Sequence, residues 1–86
     1  MLIFKTIIRK GDSMLYNNLR CLRNYKGLTQ EELALELQVT LQTIYKWEKG
    51  KSVPDMENMK NIANFYNVSI DDLINKECCI DILFVK

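Results

Sequence analysis

From Met14 onward the apolar positions fall at helical spacing. Leu15, Leu19 and Leu22 stand four and three apart with Arg20, Arg23 and Lys26 between them, which marks one buried face of a helix that Gly27 closes as a left-handed cap. "TQEE" follows. Thr29 can accept from the backbone three residues on while Glu32 reaches back, a capping box that opens a short helix with Leu33, Ala34 and Leu37 inward. Thr40 caps the next segment, "LQTIYKWEK", whose only buried stripe is Ile44 and Trp47; Gly50 ends it. The loop "KSVPD" holds the single proline, Pro54, suited to the start of a helix with Met56, Met59, Ile62, Ala63 and Tyr66 on one side. Asn67 is a left-handed cap candidate, and "SIDD" reads as a second capping box before Leu73 and Ile74.

Five short helices joined by tight turns predict a compact all-α domain over residues 14–76. The ends differ in kind. "LIFKTIIRK" and "CIDILFVK" are rich in β-branched and aromatic residues with partial alternation, so each is a candidate strand that needs a partner. Residues 1–13 form an N-terminal extension, either such a strand or a segment ahead of a native start at Met14. Residues 77–86 form a C-terminal tail, a candidate strand in a dimer contact.

Length limits what else the chain can hold: 86 residues support one small core and leave no room for a catalytic domain with a lid. Net charge is only +1, so any attraction to a polyanion depends on where the charges stand. Six of the bases (Lys5, Arg9, Lys10, Arg20, Arg23, Lys26) lie within the first 26 residues against Asp12 alone, while residues 52–86 carry six acids against three bases. The first half and the neighbourhood of Lys46, Lys49 and Lys51 can therefore form a one-sided basic surface. Cys21, Cys78 and Cys79 are odd in number, and there is no histidine. This argues against a disulfide framework and against zinc, and for a reduced, cytoplasmic setting with Cys21 as a small hydrophobe among leucines. No export signal or membrane span is read from the start of the chain.

With Ile44 and Trp47 inward, the second helix of the Thr29–Trp47 pair turns Leu41, Gln42, Thr43, Tyr45 and Lys46 outward. Ala34 supplies the small residue needed where the two helices cross. A helix presenting polar, flat and methyl-bearing groups along its first two turns is shaped for the DNA major groove. "LRCLRNYKGLTQEELA", "IYKWEKGKSVPD" and "NVSIDDL" occur in the order and spacing of the phage-repressor and Cro type of helix-turn-helix domain, also called the xenobiotic-response-element family. Residues 18–74 resemble it.

The resemblance implies an all-α, five-helix, lambda-repressor-like fold and a set of roles. Thr40, Leu41, Gln42 and Thr43 match base-contacting positions, with Tyr45 and Lys46 one turn on. Gln42 is the best single reader, since its carboxamide can pair with adenine in a bidentate fashion. Gln30 matches a phosphate-fixing residue at a helix start, and Lys49 and Lys51 match phosphate clamps. Arg23 and Glu48 match an ion pair that orients the recognition helix. One position departs: Gln38 stands where the family's turn carries glycine, at a cost of about 1 kcal/mol if the backbone there is left-handed. The expected function is that of a bacterial or phage transcriptional regulator, a homodimeric repressor binding double-stranded DNA. The alternative is an antitoxin-like protein-interaction module that meets a protein partner through the C-terminal tail. No enzyme activity, cofactor or metal is expected, because histidine, an activated nucleophile and a phosphate-cradling glycine loop are all missing.

Overall fold

The computed structural model describes residues 12–77, so the two candidate strands and the tail contact lie outside the described residues. Among the described residues there are five helices and no strand: α1 (Asp12–Tyr25), α2 (Gln30–Leu37), α3 (Leu41–Glu48), α4 (Met56–Tyr66) and α5 (Ile70–Asn75). No described helix is long and apolar enough to cross a membrane.

Side chains just outside the helices set where they start. Thr29, Thr40, Asp55 and Ser69, all in extended backbone, accept hydrogen bonds from the amides of Glu32, Thr43, Asn58 and Asp72. At Thr29 the box is reciprocal, with the Glu32 carboxylate accepting from the Thr29 amide at 2.9 Å. Each such cap is worth about 1 kcal/mol. Four helices stop in one way. Gly27, Gln38, Gly50 and Asn67 take positive φ (72°, 59°, 74° and 58°), and paired bonds close each turn, such as Val39 N–H to the Ala34 carbonyl and Gln38 N–H to Leu35. This double closure satisfies carbonyls that the helix end would leave open.

The capped segments pack as a small bundle in which α1 lies on α3 and α5, α2 on α3 and α4, and α4 on α5. Their shared interior holds Leu15, Leu19 and Leu22 of α1, Leu33, Ala34 and Leu37 of α2, and Ile44 and Trp47 of α3. Met59, Ile62, Ala63 and Tyr66 of α4 and Leu73 of α5 complete it. Each large aliphatic side chain so buried contributes about 1.5–3 kcal/mol. Polar Asn18 sits inside the α1 stripe, fully buried, and its amide donates to the Leu73 and Lys76 carbonyls at 2.7 and 2.6 Å. It thereby ties the open end of α5 to α1.

Three expectations change. Met56 is 61% exposed, because it stands on the first turn of α4 and the buried face begins at Met59. Pro54 does not open α4; it is buried one residue ahead of the capping Asp55. Cys21 is half-buried and disulfide-bonded rather than a free thiol.

Candidate nucleic-acid interface

The second helix of the pair is held from behind. Ile44 and Trp47 anchor α3 in the core, and its last residue, Glu48, is buried as well, only 3% exposed. A carboxylate at a helix C-terminus faces the negative end of the dipole and loses hydration, so it survives burial only when donors surround it. Arg23 of α1 supplies two of them, Nε to Oε2 at 2.7 Å and Nη2 to Oε1 at 3.0 Å. Its third nitrogen donates to the Leu28 carbonyl in the α1–α2 turn at 2.9 Å. The bond to Glu48 is also the main cause that holds the Arg23 guanidinium above its ordinary pKa, with burial opposing. Gln30, the first residue of α2, donates Nε2 to Glu48 Oε1 at 3.0 Å. Three helices thus meet at a single carboxylate, and Arg23 links the α1–α2 turn to it.

Tyr66 comes up beneath this cluster with its hydroxyl buried and unpartnered among the described residues. Burial, and then the negative charge of Glu48, push its phenol well above the ordinary value of 10.0.

Away from the core, α3 shows the row that the sequence marked out. Leu41 and Tyr45 are 44% and 42% exposed, and Gln42 and Lys46 face solvent. Two sizeable apolar surfaces beside a carboxamide and an ammonium suit the mixed chemistry of a base-pair edge, where thymine offers a methyl and the purines offer acceptors. Thr40 and Thr43 are brought together, their hydroxyls 2.8 Å apart, which engages the half-buried Thr43 locally. Lys49 stands over the Tyr45 ring at 5.7 Å. Lys49 and Lys51 are exposed in the turn after α3, where the Lys51 N–H closes onto the Lys46 carbonyl at 2.9 Å. The α3 surface, through the turn to Lys51, carries three lysines and no exposed acid.

The helix-turn-helix family model matches residues 19–73. The chain belongs to the Cro/C1-type helix-turn-helix family. It is 49% identical over 59 residues to the transcriptional activator BcrR of Enterococcus faecalis, covering 69% of this chain and 29% of that protein. It is 44% identical over 57 residues to an uncharacterised HTH-type transcriptional regulator of Methanocaldococcus jannaschii, covering 66% and 86%. A cryptic phage repressor of Vibrio cholerae, RstR, is 36% identical over 62 residues, covering 72% and 56%. Among solved structures, the SOS-response repressor LexA of Eubacterium rectale superposes with a TM-score of 0.73 at 28% identity, over 81% of this chain and 77% of that one. The all-helical fold expected from the sequence is the one found. The chain spans under a third of the activator and just over half of the phage repressor.

Sequence reasoning paired Arg23 with Glu48 but missed the hydrogen bond from Gln30 to that carboxylate. It also missed Asn18, although a polar residue three after Leu15 and four before Leu22 falls on the apolar stripe, the signal that could have found it.

Proposed function

We propose that this chain is a DNA-binding transcriptional regulator that acts as a homodimeric repressor, with α3 in the major groove. The observation that carries the reading is the composition of the α3 surface. An eight-residue helix is about 12 Å long, which matches the groove's width of about 12 Å, and it is anchored by Ile44, Trp47 and Glu48 so that only the outward row meets a ligand. Gln42 reads bases, Leu41 and Thr40 offer methyl groups, Tyr45 and Lys46 reach an edge or phosphate further on, and Thr43 sets Thr40. Gln30, Lys49 and Lys51 hold the backbone, the lysines contributing salt dependence without sequence information.

Homodimerisation follows from reach. One helix contacts only a few base pairs, so selective binding requires a second copy one helical turn away, about 34 Å. Relatives named as activator and as repressor both occur, and repression asks only that the promoter be occupied. In a cytoplasmic setting thiols are kept reduced, so the DNA-binding surface has to stand on the helical packing rather than on the Cys21 bond.

Selection of bound duplexes from a random library, followed by footprinting, tests the proposal. Two related half-sites a helical turn apart support it. A selected pool with no common sequence contradicts it.

A further inference from the structure

The hydrogen bond between Gln30 and Glu48 does more than add to the packing. A carboxylate only accepts, so the Gln30 side chain must turn its NH2 group, not its oxygen, toward Glu48, and the observed contact is Nε2 to Oε1 at 3.0 Å. That uses one of two N–H groups. Arg23 fixes the carboxylate through two bonds of its own, and Glu48 is nearly closed to solvent while Gln30 is half-exposed. The carboxamide is therefore clamped on its inner side and open on its outer side, at the start of a helix whose first amides lack intrahelical partners.

We propose that Glu48 is a positioning residue for the DNA backbone: Arg23 holds its carboxylate, the carboxylate orients the Gln30 carboxamide, and the remaining Gln30 N–H donates to a phosphate oxygen. The inference rests on the DNA-binding reading above. It also accounts for glutamine at this position. Glutamate would set two carboxylates against each other, lysine would compete with Arg23 for Glu48, and methionine would fill the space with no donor. Because Glu48 is the last residue of α3, one carboxylate fixes both the seat of the reading helix and the grip on the backbone beside it.

A phosphate contact carries no sequence information, so a short duplex of mixed sequence at low salt is the probe. Anisotropy titrations compare wild type, Gln30→Met, the apolar pair replacement Arg23→Met with Glu48→Leu, and the triple variant. Replacing both partners of a buried pair often leaves the fold intact, and melting curves check that it does. Gln30→Met weakens binding about fivefold in the wild-type background and by under about twofold once the pair is gone, with the salt slope unchanged because glutamine is uncharged. A fivefold loss in both backgrounds overturns the inference and leaves DNA binding standing. Failure of wild type to bind any duplex removes both.

A second measurement needs no variant. In the NMR spectrum of the free protein, one Gln30 side-chain amide proton is shifted downfield and protected from exchange, and the other moves when duplex is added. Two unprotected protons like those of a solvated glutamine overturn the proposal even if the triple variant does not fold.

Discussion

The two helices of the helix-turn-helix pair are built alike and face the solvent differently. Both α2 and α3 have eight residues, a threonine cap in extended backbone and a left-handed residue closing the turn at the far end. Their outer surfaces do not match. On α2 the exposed residues are Glu31, Glu32 and Glu36 with Leu35, which is 79% exposed. On α3 they are Leu41, Gln42, Tyr45 and Lys46 with no acid. A carboxylate row against DNA phosphates is repelled, whereas a neutral and cationic row is not. On the DNA-binding reading proposed above, equal scaffolding with opposite surfaces leaves the partner-facing chemistry to α3 and only the first residue to α2.

If α3 is useful because it is held from behind, the largest effect comes from breaking its hold. Arg23→Met strands the buried Glu48 carboxylate and lowers stability by about 3 kcal/mol, a drop on the order of 15 °C in melting temperature by calorimetry; a change of only a degree or two would mean that water replaces the guanidinium. Next come the two glycine ends. At Gly27 (φ 72°) an added Cβ meets nothing, but at Gly50 (φ 74°) it would lie 2.8 Å from a Tyr16 ring carbon. Gly27→Ala costs about 1 kcal/mol, the left-handed strain alone, and Gly50→Ala costs more in a parallel denaturant titration unless the Tyr16 ring moves freely aside.

The same strain acts with opposite sign at the end of α2. Gln38 adopts φ 59° and ψ 46°, so Gln38→Gly relieves about 1 kcal/mol and raises the melting point. A lower melting point would show that the Gln38 side chain contributes more than the strain costs.

The smallest effect at neutral pH belongs to Tyr66→Phe, which removes a hydroxyl without a partner among the described residues and changes stability by under about 0.5 kcal/mol. The difference emerges in alkali. The folded protein keeps the Tyr66 proton above the ordinary value of 10.0, so the stability this gives is full below about pH 10 and is lost as pH rises beyond it, when the unfolded chain ionises first. Melting followed from neutral pH to above pH 10 falls more steeply for wild type than for Tyr66→Phe; parallel curves would place the phenol in water.

Most of the scaffold was legible because it rests on local rules. Thr29, Thr40 and Asn67 act where their side chains reach backbone a few residues away, and Ile44 and Trp47 are inward because helical spacing leaves them no other face. What escaped reading depends on tertiary neighbours. Gln30 meets Glu48 across 18 positions and Asn18 meets Lys76 across 58, and no periodicity encodes such pairs. Met56 was misplaced for a related reason: helical spacing assigns a residue to a side of a helix, but not where along that helix the neighbours begin. The outward row on α3 and the Arg23–Glu48 pair behind it were visible as residues, while the burial of Glu48 and its bond from Gln30 took the assembled bundle to see.

The central claim is that the α3 surface reads sequence, and one substitution isolates it. Gln42 is exposed and lies outside the hydrophobic core, so Gln42→Ala leaves the fold unchanged. Fluorescence anisotropy on a selected operator duplex and on a scrambled duplex, at two salt concentrations, compares it with wild type. The account predicts that Gln42→Ala loses about 1–3 kcal/mol of the preference for the operator and keeps the salt slope, since the lysines that release counterions are untouched. Undiminished preference in Gln42→Ala would contradict the assignment of base reading to this residue, and a wild type with no preference for any duplex would contradict it for the whole helix.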